Sequence, residues 1–109
     1  MLKRYTLVEV SLDPTIGSEV KKTRPCLIVS PNEMNDNIDM VIIVPLTSKK
    51  KGLPTRVKIP KTSGLNGESY AMIDQVKSVS KQRIVRELGT VSNKVGEEVL
   101  TVLREMFQF

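Results

Sequence analysis

The sequence predicts a mostly β (β+α) fold: a small antiparallel β barrel with one helix packed on it at the C-terminal end. Three observations predict it. Five or six short segments are apolar or alternate apolar with polar, turn-forming clusters separate them, and the last stretch switches to helical periodicity.

The elements follow in order. "YTLVEVSL" (5–12) alternates, with Val8, Val10 and Leu12 on one side, and reads as a strand. "DPTIGSE" (13–19) is a loop, because Asp-Pro and then Gly break any regular period. "PCLIVS" (25–30) is continuously apolar, as expected of a strand buried on both faces. "PNEMNDN" (31–37) carries turn residues with room for one helical turn, and "DMVIIVPL" (39–46) is a second fully apolar strand closed by Pro45. "TSKKKGLP" (47–54) is a polar, cationic loop, and "TRVKI" (55–59) alternates, with Val57 and Ile59 inward. After the turn cluster "KTSGLNGE" (61–68), "SYAMIDQVKSV" (69–79) begins as a strand holding Asp74. "RIVRELGTV" (83–91) is a last strand with Gly89 as a break. From Ser92 on, Val95, Val99, Leu103 and Met106 form one helical stripe, with Ser92 as the N-cap.

A length of 109 residues fits one domain, 1–109, with one modest core. A hydrophobic fraction of 39% is too high for intrinsic disorder. No apolar stretch approaches the roughly 20 residues that span a bilayer, and no signal peptide is visible at the start. The single cysteine, Cys26, excludes an intrachain disulfide, which makes a reducing cytoplasm the expected setting.

The net charge of +5 is unevenly placed. Lys94 and Arg104 are outnumbered by Glu97, Glu98 and Glu105 in the tail, so the surplus lies earlier, at Lys21, Lys22 and Arg24, at Lys49, Lys50 and Lys51, and at Arg56, Lys58 and Lys61. Such clusters attract polyanions, nucleic acid above all, although each could also be a solvated loop. With only Tyr5, Tyr70, Phe107 and Phe109, a broad aromatic platform for bases is not expected.

Absences narrow the chemistry. The chain has no histidine, which removes imidazole acid–base catalysis, Ser-His and Cys-His pairs, and imidazole metal ligands. One cysteine cannot build a structural zinc site, the acidic residues do not cluster with calcium or magnesium spacing, and no phosphate-cradling glycine loop or dinucleotide fingerprint is present. No cofactor is expected. Arg, Lys, Thr, Ser, Asp and Glu remain, and these types suit metal-free RNA cleavage. The 2′-hydroxyl supplies the nucleophile, a guanidinium offers a fork of donors to the phosphoryl oxygens, and a hydroxyl adds another.

Individually, the candidates stay open. Arg24 fits a salt bridge or cap at a strand start as well as a phosphate contact. Thr47 and Ser48 fit turn closure, Asp74 fits a satisfied carboxylate or an orienting group, and Lys49 to Lys51 fit an exposed loop that also touches phosphates.

Together, the segments resemble the MazF/PemK (Kid) family of toxin–antitoxin toxins over nearly the whole chain. "LDPTIGSEVKKTRPCLIVSP" (12–31) follows the family's Asp-Pro-Thr, Gly-Ser-Glu and Arg-Pro order. "VPLTSKKKGLPTRVKI" (44–59) matches its Pro-x-Thr-Ser strand end and basic loop, and "AMIDQVKSV" (71–79) its Asp-Gln-Val segment. The usual Gly-Asp start of the first strand is replaced by Tyr5-Thr6, a difference expected to bear on local turn geometry.

The resemblance implies an SH3-like barrel that forms a homodimer. It also implies a metal-independent endoribonuclease that cuts single-stranded RNA, often mRNA, at preferred sequences, leaving 2′,3′-cyclic phosphate and 5′-hydroxyl ends. Arg24 and Thr47 would be the catalytic pair. Ser18, Glu19, Lys21, Lys22, Ser48, Lys49, Lys50, Asp74, Gln75 and Lys77 would contact substrate, and an acidic antitoxin would occupy the same basic groove. Because a guanidinium stays protonated near neutrality, Arg24 is assigned to stabilising the phosphorane, with Glu19 and Asp74 as candidate proton acceptors. Two other readings remain: a CcdB-like poison of DNA gyrase, which is not a nuclease, and a passive nucleic-acid-binding barrel.

Overall fold

The computed structural model describes residues 2–12, 22–62 and 64–108. Its strands are β1 (Thr6–Ser11), β2 (Thr23–Ile28), β3 (Met40–Thr47), β4 (Arg56–Ile59), β5 (Ser69–Met72), β6 (Lys77–Ser80) and β7 (Ile84–Thr90). Helix α1 (Asn32–Asn37) follows β2, and helix α2 (Asn93–Met106) ends the chain. The mostly antiparallel β architecture with a C-terminal helix is the class expected. The strand count is higher because "SYAMIDQVKSV" does not run straight. A 3-10 turn over Ile73–Gln75 divides it into β5 and β6.

All pairings are antiparallel, in the order β4-β5-β3-β2-β1-β7, with β6 also on β3. Among the described residues β4 and β7 end this path and do not pair with each other, so the expected barrel is left open. β3 organises the sheet. One edge pairs with β2, and the other is shared, Met40 to Ile43 with β6, Leu46 and Thr47 with β5. Pro45 therefore lies inside β3, where the sequence placed the strand's end. Its register partner is Cys26 on β2, and on the other edge it falls between the β6 and β5 pairings, where no ladder bond needs its missing N–H.

The continuous apolar runs are explained by burial on both faces. Leu7, Leu27, Val44, Leu46, Ile59 and Ile73 form a core beneath α2, while Val8, Val10, Cys26, Ile28, Val41 and Ile43 form another cluster on the opposite side. α2 is positioned as its stripe predicts: Val99 is fully buried, and Val95, Leu103 and Met106 pack on the first core. The Ser92 hydroxyl caps it by accepting from the Val95 amide at 3.2 Å. Gly89 does not end β7. It sits at a register shift, opposite Leu7 while Glu87 already opposes Val8, which is the signature of a bulge. No helix among the described residues is long and apolar enough to cross a membrane.

The start of β1 is unusual. Tyr5 has φ of 76°, a left-handed conformation that favours glycine, and its ring lies on Gly96 of α2. A Cβ at Gly96 would come within 2.4 Å of that ring. Gly96→Ala is thus expected to lower stability by about 1–3 kcal/mol through overpacking, despite alanine's better helix propensity. Thermal melting checks this, and the Tyr5→Ala/Gly96→Ala double variant should lose less than the sum of the single changes.

Candidate functional site

Arg24 is exposed near the start of β2, opposite Val10 of β1. Beyond it, Cys26, Leu27, Ile28, Val29 and Ser30 are all buried, so the guanidinium is carried on a stem anchored within the sheet. One guanidinium nitrogen, Nη1, donates to the Leu46 carbonyl at 3.2 Å. Among the described residues Arg24 makes no ion pair. Among the described residues its other nitrogens meet no acceptor.

Leu46 precedes Thr47, the last residue of β3, whose Oγ1 accepts the Lys49 amide at 3.2 Å. The bond from Arg24 to the Leu46 carbonyl therefore brings the guanidinium to the strand end that carries Thr47. Both line a groove of about 700 Å³, along with Ser48 and Lys49. Residues 64–69 also line it. Gly64 is required there: its φ is +91°, and a Cβ would lie 2.0 Å from the Leu88 carbonyl oxygen.

Among the residues of this groove that went unassigned in the sequence are Glu9 and Arg86. The Glu9 carboxylate accepts from Thr23 Oγ1 at 2.7 Å and from Arg86 Nε at 2.6 Å. Its pKa is lowered, first by the Thr23 hydroxyl and then by the Arg86 hydrogen bond, which together outweigh the opposing effect of burial. The only sequence signal was a charge in an alternating strand, off the side that carries Val8 and Val10. Its partner lies 77 residues away, in a register that local pattern does not reveal.

Other candidates lie elsewhere. Asp74 does not line the groove. It accepts from Thr55 Oγ1 at 2.9 Å and from Arg56 at 3.1 and 3.4 Å. Burial pushes its pKa up, but the Thr55, backbone and Arg56 hydrogen bonds outweigh that and hold it below the usual value. Gln75 is exposed in the same 3-10 turn, and Lys77 is exposed on β6 opposite Ile43. Lys22 is exposed just before β2, and Lys50 lines a separate, smaller cleft. Ser18, Glu19 and Lys21, with the "DPTIGSE" loop, lie outside the described residues.

The architecture and groove define a class: a small β+α protein with a guanidinium, a hydroxyl and a lysine lining one groove. The family model for the PemK-like, MazF-like toxin of type II toxin–antitoxin systems matches residues 3–107, and the chain belongs to that family. Among its relatives, the endoribonuclease toxin MazF of Escherichia coli strain K12 is 37% identical over 98 residues, covering 84% of this chain and 86% of that protein. A MazE–MazF crystal structure from Deinococcus radiodurans is 27% identical with a TM-score of 0.81, covering 96% of this chain and 94% of that one. An endoribonuclease in complex with its cognate antitoxin from a mycobacterial species gives a TM-score of 0.83 over 100% of this chain and 99% of that chain. At 23% identity, that last likeness speaks for the fold.

Two outcomes follow. Glu9 should titrate below the ordinary glutamate range, and Arg86→Met should raise its midpoint, as read by carboxyl-carbon NMR. Because its folded pKa is depressed, its pairing adds stability above the unfolded pKa and loses it as pH falls through the folded one. Burial pushes the Cys26 thiol up to about 12, against Lys77 and Arg24. The folded protein should therefore resist thiol alkylation at pH 8, and urea should expose one reactive thiol.

Proposed function

We propose that the protein is the toxin of a toxin–antitoxin pair, an endoribonuclease that cuts single-stranded RNA, mRNA included, at preferred sequences without a metal ion. The observation that carries this reading is the Arg24–Leu46 hydrogen bond, which sets a guanidinium beside Thr47 in one groove. The RNA 2′-oxygen attacks its neighbouring phosphorus while losing its proton. The P–O5′ bond then breaks and the 5′-oxygen gains a proton, leaving a 2′,3′-cyclic phosphate and a 5′-hydroxyl. Arg24 meets the charge that builds on the phosphoryl oxygens, and Thr47 Oγ1 adds a donor. Lys49, Ser48 and Lys22 hold flanking phosphates.

The active unit in this reading is a cytoplasmic homodimer. The antitoxin is a partner whose acidic segment competes with RNA for the cationic groove, and charge complementarity supports both ligands. Incubation of the purified protein with single-stranded RNA in EDTA tests the activity. Cleavage is expected, with ends of the stated chemistry by mass spectrometry. Arg24→Ala should lower the rate about 10²–10³-fold, the usual cost of losing a preorganised donor at a charged transition state. Intact RNA across varied sequences and salt, or undiminished cleavage by Arg24→Ala, would overturn the assignment.

A further inference from the structure

A second cleft lies beside the groove, one strand across from Thr47. Thr47 on β3 is the register partner of Tyr70 on β5, and Tyr70 is in turn the partner of Lys58 on β4. Directly opposed residues of antiparallel strands project to the same face, with Cα atoms roughly 4.5–5.5 Å apart. Thr47, Tyr70 and Lys58 thus form a row running from the candidate catalytic hydroxyl toward the sheet edge at β4.

Tyr70 and Lys58 line a cleft of about 250 Å³ with Lys50, Gly52, Leu53 and Arg56. Its chemistry is mixed in an informative way. It holds one aromatic ring, one leucine that is 44% exposed, and three cations. Arg56 is fixed, its guanidinium held by Asp74 and its side chain only 10% exposed. Lys58 meets Glu68 at 3.3 Å, with both side chains more than half exposed, so it can exchange that carboxylate for another anion at little cost. Lys50 is exposed on the loop after Thr47, and no described carboxylate pairs with it.

We propose that this cleft is a nucleobase subsite: the base of a nucleotide near the scissile phosphate stacks on Tyr70 against Leu53, and Lys50 and Lys58 take its phosphate. The proposal rests on the ribonuclease reading above and extends it to a binding position built by other residues. Stacking on an aromatic face tolerates any base, because every base has a π-face, so the subsite adds affinity and register with little sequence choice. A chain with few aromatic residues builds no stacking platform, but one ring set in line with Thr47 fixes a single base.

The test is steady-state cleavage of a defined single-stranded RNA by wild type, Tyr70→Leu and Tyr70→Phe, with folding of each verified by circular dichroism. Tyr70→Leu should raise KM about 5- to 150-fold, the range usual for one lost stack, with kcat changed less than about twofold. Tyr70→Phe should keep the wild-type KM. An abasic residue scanned through the RNA should weaken wild type at one position near the cut, and add nothing to Tyr70→Leu at that position. Lys58→Gln should flatten the salt dependence by about one phosphate contact.

An unchanged KM in Tyr70→Leu, a Phe variant as impaired as Leu, or additive abasic effects would overturn the subsite while cleavage by wild type stands. Unaltered RNA kinetics with weakened capture of an acidic antitoxin peptide would assign the cleft to a protein partner and overturn the proposal as well. Wild-type protein that leaves RNA intact would bring down the ribonuclease reading and the subsite with it.

Discussion

The register between β2 and β3 is the constraint on which the rest of the site depends. Cys26, Leu27 and Ile28 face Pro45, Val44 and Ile43, and these residues are buried on both sides of the sheet. Because side chains alternate along a strand, a slip of one residue would exchange two packed cores and turn Arg24 to the other face. The double burial makes such a slip prohibitively costly. It also carries the chain rigidly outward to Arg24 on one strand and to Thr47 on the other. The 3.2 Å bond from Arg24 to the Leu46 carbonyl then aims a guanidinium that already lies near its place. Two functional groups separated along the chain are thereby held by a ladder of apolar residues, with the geometry supplied by rigid elements rather than by a loop.

The opposite end of β1 shows a different balance. Tyr5 adopts a backbone conformation that costs an ordinary residue of order 1–3 kcal/mol. Its surroundings compensate. Its ring packs against Gly96, its hydroxyl donates to Glu97 at 3.3 Å, and its amide and carbonyl join Ile28 and Val91. A glycine at position 5 would relieve the backbone but lose the clamp between β1 and α2. Strain at one residue and the absence of a side chain at another are thus two halves of a single contact.

How much of this was legible follows from where each signal resides. The helix was readable because its stripe, its serine cap and its polar face are local and agree with one another. The two apolar strands were readable because burial on both faces leaves no alternation to misread. Pro45 was misplaced since a proline inside a strand looks forbidden until two different strands are seen to share the same edge, leaving that position unpaired. The break at Ile73–Gln75 escaped because Ile73 is as apolar as its neighbours, and only Asp74's attachment to Arg56 and Thr55 reveals the turn. Arg24 and Thr47 were nominated by resemblance and not by physics. Each alone had an ordinary structural alternative, and only the fold shows them sharing a groove.

Glu9 poses the remaining electrostatic question, since a carboxylate in a groove suited to polyanions should repel them. Its surroundings answer it. Arg86 and Thr23 satisfy both oxygens and lower its pKa, so it stays ionised and is a weak proton acceptor, while the pair with Arg86 is close to neutral as a unit. Glu68, which also lines the groove, meets Lys58 in a more exposed and weaker pair. Arg24 and Lys49 are left as the cations without a described carboxylate partner, and both line the groove with Thr47. The positive field is therefore concentrated by cancelling charge elsewhere in the groove, not by piling up cations. Among the described residues every other charge that lines the groove has a partner, so the field favours an anion beside Arg24, Lys49 and Thr47.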